Sequence, residues 1–129
     1  MTTLDTALEP KKQAEIIKKS APETDTEVKQ GRTASGEITV DLFDGQGKYA
    51  LGWNNPGSTG RWDYVALCAN DPGNDPYGYL TNQWQYTGGN NSPYVTGTSY
   101  VNNSNYHIIY VTWDYSQGAY RILAKKRQR

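Results

Sequence analysis

The segment NDPGND, residues 70–75, brings the oxygen-donor side chains of Asp71, Asn74 and Asp75 close together. Carboxylate and amide oxygens are the ligands that Ca²⁺ takes in proteins, so these three residues form a candidate calcium site. Their spacing differs from that of an EF-hand loop, which also ends in Glu. Because Asp-Pro-Gly and Asn-Asp-Pro are themselves turn-forming sequences, a plain turn is the alternative interpretation.

Aromatic residues are the second feature with binding chemistry. The chain has eleven Tyr, four Trp and one Phe, and all of them follow residue 40. The core of a small domain cannot enclose so many rings, so we expect some of them on strand ends and loops. Aromatic faces stack on the C–H faces of sugar rings, while neighbouring amides and carboxylates bond the hydroxyl groups. The sequence therefore predicts a lectin-like carbohydrate site built from Trp53, Asn54, Asn55, Trp62, Asp63, Tyr77, Tyr79 and Trp84.

The same aromatic surplus has other interpretations. Tyr and Trp dominate the binding energy of many protein interfaces, and both prefer the interface between a membrane and water. The alternative function is therefore a protein- or membrane-binding domain that belongs to a toxin, an effector or a larger assembly. A purely structural interpretation places many Tyr rings in the core with their hydroxyls at its rim.

Catalytic chemistry has little material in this chain. His107 and Cys68 are the only His and Cys, which argues against a zinc site and excludes a disulfide within the chain. No Glu follows Glu37, so a glycosidase-type carboxylate pair would have to consist of two Asp. No Ser, His and Asp stand in a nucleophile context, and no glycine-rich phosphate loop precedes a helix. We expect a module that is not an enzyme.

Charge and hydropathy limit the partners. The chain has 13 Lys and Arg and 13 Asp and Glu, and this balance argues against nucleic-acid binding. The basic residues 125–129, KKRQR, are interpreted as a solvated end. No apolar stretch is long enough for a membrane span, and no signal-peptide core follows Met1. We expect a soluble protein without a transmembrane segment, either cytoplasmic or exported by a non-classical route.

Two regions of different pattern divide the chain. Residues 37–129 alternate apolar and polar residues in about seven segments separated by Gly-, Asn-, Pro- and Asp-rich turns. This pattern predicts an antiparallel β-sandwich, Ig-like or jelly-roll. Residues 1–36 are charged and poor in large apolar residues, and they are predicted to be a flexible tail, disordered or partly helical. One helix is expected from Pro10 onward, and the alternative role of the tail is docking to a partner.

A short motif carries a family resemblance. Residues 63–67, DYVAL, resemble the Asp-Trp-Ile-Gly-Leu signature of SKICH domains and of the N-terminal domains of some metallophosphatases, with Tyr64 and Ala66 in place of Trp and Gly. The resemblance covers residues 38–126. It implies an Ig-like module without a reaction centre, which binds proteins or membranes or braces a neighbouring catalytic domain. The tripeptide Trp-Asp-Tyr occurs at residues 62–64, where it leads into this motif, and again at residues 113–115. The second copy closes a strand, and Asp114 is expected to be a turn residue.

Overall fold

The computed structural model describes residues 8–19, 37–57 and 59–129. Two antiparallel sheets pack together, which confirms the predicted all-β sandwich. Residues 1–7 and 20–36 of the predicted tail lie outside the described residues. The elements in chain order are α1 (Pro10–Lys19), β1 (Thr39–Asp44), β2 (Lys48–Asn54), β3 (Tyr64–Cys68), β4 (Trp84–Tyr86), β5 (Tyr94–Ser99), β6 (His107–Asp114) and β7 (Ala119–Arg127).

Local turn chemistry fixes the two hairpins of the sandwich. The three-stranded sheet has the order β1–β2–β5, and the four-stranded sheet has the order β4–β3–β6–β7. Between β1 and β2, Gln46 and Gly47 take φ angles of 62° and 98°, and the Asp44 carboxylate accepts the Gly47 N–H at 2.7 Å. Between β6 and β7, the Asp114 carboxylate accepts the Ser116 N–H at 3.0 Å, in the turn that the sequence predicted.

The inner core lies between the two sheets. Alternate residues of β1 and β2 point into it, as expected for strands with one solvated face. They meet the inward side chains of β3 and β6. The buried members are Ile38, Val40, Leu42, Tyr49, Leu51, Val65, Leu67, Ile108 and Tyr110.

The outer face of the four-stranded sheet is also covered. Every residue of β3 is buried, and so is every residue of β6 except Asp114. This continuous burial occurs because α1 packs over the sheet and closes a second core. Most of the surplus aromatic side chains lie there. We call them the aromatic layer: Trp62, Tyr64, Tyr77, Tyr79, Trp84, Tyr86, Trp113, Tyr115 and Tyr120.

Helix α1 contacts the aromatic layer through a narrow stripe. The helix begins at Pro10, as predicted, and buries Gln13, Ala14 and Ile17 while Ile16 stays 45% exposed. Few apolar residues are needed, because the long tyrosine and tryptophan side chains of the sheet supply most of the contact surface. A segment interpreted from sequence as part of a tail thus forms one layer of the fold between residues 10 and 19.

The basic residues at the C-terminus belong to the fold, although Lys125, Lys126, Arg127 and Arg129 stay exposed, as expected of a solvated end. Gln128 is 8% exposed and accepts a hydrogen bond from the Tyr49 hydroxyl at 2.5 Å. The Arg129 guanidinium donates to the Asp41 carboxylate, with Nε 2.9 Å from Oδ2. These contacts connect the end of β7 in one sheet with β1 and β2 in the other.

Candidate functional site

A cleft of about 290 Å³ opens on the outer face of the four-stranded sheet, beside the start of α1. Three of the predicted site residues, Tyr77, Tyr79 and Trp84, line it with half-buried rings. The other lining residues are polar: Glu9, Lys11, Thr81 and Asn82. The cleft therefore combines aromatic faces with hydrogen-bonding groups, of which one is negatively charged, one positively charged and two neutral.

The rings of the cleft are held by the aromatic layer behind them. Each makes an edge-to-face contact with a buried tyrosine, a geometry that the ring quadrupoles favour. A fixed ring loses little entropy when a ligand binds against it. The centroid distances are 4.9 Å for Trp84 and Tyr86, 5.9 Å for Tyr79 and Tyr64, and 6.2 Å for Tyr77 and Tyr120.

The connection between β3 and β4 places two of these rings. The Asp75 carboxylate accepts the Tyr77 N–H at 2.9 Å, which shapes the turn before the cleft. The Leu80 N–H then donates to the Leu67 carbonyl at 2.8 Å, so the segment that carries Tyr79 returns to the end of β3. Local turn bonds and several hydrogen bonds to β3 thus fix the wall of the cleft.

Glu9 controls the electrostatics of the cleft from the α1 side. Its Oε1 accepts the Tyr79 hydroxyl at 2.6 Å and the Lys11 N–H at 3.3 Å. Burial, followed by the bond to Glu9, raises the pKa of Tyr79. Burial, followed by the charge of Asp75, raises the pKa of Tyr77. Both phenols are therefore protonated at neutral pH and able to donate or accept hydrogen bonds.

Other predicted ligand residues lie on the opposite side of the sandwich. Trp53 and Asn54 belong to β2 of the three-stranded sheet, where they border a shallow depression of about 270 Å³. Asn55 is held by internal bonds, since its amide donates to the Tyr110 hydroxyl at 3.0 Å. These residues do not line the cleft of Tyr77, Tyr79 and Trp84.

Trp62 belongs to the aromatic layer but does not line the cleft. Its ring meets Tyr86 edge-on, with centroids 6.1 Å apart. The Arg61 guanidinium lies over the same ring, 4.8 Å from its centroid. The arrangement is a cation–π contact that covers the ring on one side.

Asp63 is fully buried, and its carboxylate accepts three internal hydrogen bonds. Oδ2 accepts the Gly60 N–H at 2.9 Å and the Tyr110 hydroxyl at 2.6 Å. Oδ1 accepts the Thr112 hydroxyl at 2.5 Å. The Asp63 carbonyl also accepts the Thr87 N–H at 2.9 Å. The aspartate of the DYVAL motif thus ties the loop before β3 to strand β6, and it is not presented to a ligand.

The candidate calcium residues are exposed and take part in turns. Asp71 Oδ1 accepts the Gly73 N–H at 2.9 Å and the Lys125 ammonium at 2.6 Å. Asp75 is the turn residue before Tyr77, and Asn74 is exposed. In the described part of the chain, no three His, Cys, Asp or Glu side chains form a group that could hold a metal ion.

The two residues with nucleophile or base chemistry are buried away from the cleft. Cys68 is fully buried, and burial raises the pKa of its thiol to about 12. His107 Nδ1 lies 2.8 Å from the Asn105 carbonyl. Neither side chain lines the cleft.

Sequence patterns alone did not point to the residues that the α1 segment contributes to the cleft. Glu9 and Lys11 lie in the segment interpreted as a tail, and Thr81 was not singled out. A signal was present, because Glu9 stands directly before Pro10, the expected first residue of the helix. What the sequence alone could not provide was the position of the helix, since Glu9 and Tyr79 are 70 residues apart.

Comparisons with protein-family models, with curated proteins and with solved structures gave no match. They therefore do not bear on the resemblance to SKICH domains. Among the described residues, no helix is long and apolar enough to cross a membrane.

Proposed function

We propose that this protein is a non-enzymatic recognition module that binds carbohydrate in the cleft of Tyr77, Tyr79 and Trp84. The observation that carries the proposal is the meeting of three half-buried aromatic rings with Glu9, Lys11, Thr81 and Asn82 in one cavity. Ligand pockets usually measure about 300–1,000 Å³, and the cleft, at about 290 Å³, lies at the small end of this range, which favours a small ligand such as a single sugar unit.

The groups of the cleft match the two surfaces of a sugar. The indole of Trp84 offers a flat apolar face for the C–H side of the ring. The Glu9 carboxylate accepts hydrogen bonds from hydroxyl groups, and the Lys11 ammonium and Asn82 amide donate them. The phenols of Tyr77 and Tyr79 add groups that can do either. Directed bonds of this kind select among sugars, because hydroxyl orientation decides which of them form.

A glycan-array screen of the full chain tests the proposal. The screen is run with calcium and again with a chelator, so that a role for Asp71, Asn74 and Asp75 is tested at the same time. Binding to a coherent family of sugars supports carbohydrate recognition, and its loss in chelator supports a calcium site. A blank array from folded protein contradicts carbohydrate binding and favours the protein- or membrane-binding alternative.

Paired variants then locate the ligand. Trp84→Ala removes the main stacking face and is expected to weaken binding at least about tenfold, in line with the energy of aromatic contacts. Trp53→Ala is the matched control, since it removes an indole from the opposite sheet. Equal loss in both variants, or a loss in Trp53→Ala alone, contradicts the assignment to this cleft.

A further inference from the structure

We propose that α1 is a detachable wall of the binding cleft, so that ligand binding and docking of α1 stabilise each other. This inference rests on the proposed function and adds a means of regulation to it. Both charged residues that line the cleft, Glu9 and Lys11, come from the α1 segment. A chain with α1 undocked would keep the aromatic rings and lose the carboxylate and the ammonium.

The attachment of α1 to the sheet is small. Two tyrosine hydroxyls bond the start of the segment: Tyr79 to Glu9 at 2.6 Å and Tyr86 to the Leu8 carbonyl at 3.0 Å. Pro10, Ala14 and Ile17 are buried apolar residues of the helix. A helix of ten residues has little stability by itself, so its presence depends on these contacts.

One buried polar atom of α1 lacks a hydrogen-bond partner. Gln13 is 2% exposed, and its Oε1 has no partner. A buried acceptor without a partner opposes docking, because water would bond it once α1 moved away from the sheet.

These observations imply that weak contacts hold α1 on the sheet, and that the loss of hydration of a buried polar group partly opposes its docking. A ligand that bonds Glu9 and stacks on Trp84 touches both sides of the interface. It binds the docked state better than the undocked state, and it therefore shifts the population toward docking. Because docking and ligand binding are thermodynamically linked, a partner that binds α1 in its undocked state lowers the affinity of the cleft for its ligand.

The test compares two substitutions one residue apart in the full chain. Ile17→Asp places a charge in the buried stripe and is expected to undock α1, whereas Ile16→Asp changes a side chain that is 45% exposed. For a sugar identified on the array, Ile17→Asp is expected to weaken binding about tenfold or more, within the usual range of coupling, while Ile16→Asp stays within about twofold. Equal affinity of Ile17→Asp and the unchanged chain would overturn the proposal.

Hydrogen exchange supplies the second readout. Amides of α1 are expected to exchange faster than those of β6 without ligand, and to slow by about tenfold or more when sugar saturates the cleft. Protection of α1 equal to that of β6, or global unfolding of Ile17→Asp, would show that the helix is not detachable. If no sugar binds the unchanged chain, the proposed function fails, and exchange without ligand still decides whether α1 detaches.

Discussion

The buried carboxylate of Asp63 gives the sharpest prediction about stability. Asp63→Ala removes the acceptor for the Gly60 N–H and for the Tyr110 and Thr112 hydroxyls. Each buried donor left without a partner costs about 1–3 kcal/mol. Allowing for partial rescue by water, we expect a loss of about 3–6 kcal/mol from a total that is about 5–15 kcal/mol for typical domains. The melting temperature should fall by at least about 10 °C.

Urea unfolding followed by tryptophan fluorescence measures this loss. The control is Asp44→Ala, an exposed turn residue whose carboxylate accepts one backbone N–H, with an expected cost of about 0.5–1.5 kcal/mol. A change below about 1 kcal/mol in Asp63→Ala would refute the reasoning that unpaired buried donors are costly here. A variant that folds normally and loses sugar binding would return Asp63 to the ligand site that the sequence predicted.

Three further predictions concern the cleft, the thiol and the C-terminus. Glu9→Gln is expected to weaken sugar binding about fivefold or more, because the amide keeps the shape of the side chain and loses the charge-assisted hydrogen bond. The melting temperature should change little. Calorimetric titration measures the affinity for the sugar, and an unchanged affinity would exclude the carboxylate from recognition. Cys68, with its pKa raised to about 12, should not react with a thiol reagent at neutral pH until urea unfolds the chain, and rapid labelling of folded protein would contradict its burial. The Arg129 guanidinium lowers the pKa of Asp41, so this pair stabilises the fold above about pH 4 and loses its effect as the pH falls through the pKa of the folded state. Arg129→Ala should therefore lower the melting temperature at pH 7, and the difference from the unchanged chain should become smaller in acid. A difference that does not depend on pH would contradict a stabilising ion pair between Arg129 and Asp41.

Local patterns predicted the strands well. Alternation in segments such as TVDLFD, which became β1, and turn residues such as Asp114 act over a few neighbours, so the sequence displays them directly. The runs YVALC and HIIYVTW do not alternate, because both faces of these strands are buried. They were interpreted as alternating strands like the others, so the cover that α1 provides on the four-stranded sheet was not predicted.

Long-range contacts explain what the sequence could not supply. Asp63 has the residue type of a ligand or a turn, and its burial depends on Tyr110 and Thr112, which follow 47 and 49 residues later. The cover by α1 was hidden for a similar reason, since the stripe of Ala14 and Ile17 suffices only against a surface of large rings. Of the predicted ligand residues, the structure brings Tyr77, Tyr79 and Trp84 together. The others lie in β2 or in the connection between β2 and β3.

The four tryptophans allow a direct measurement of where the ligand binds. In a ¹⁵N-labelled sample each indole N–H gives one resonance, and Trp→Phe variants assign the four signals. On titration with a sugar identified by the array, we expect the Trp84 signal to shift and saturate with the binding curve, while the Trp53 signal stays in place. A shift of Trp53 with Trp84 unchanged would contradict the assignment of the binding site to the cleft beside α1.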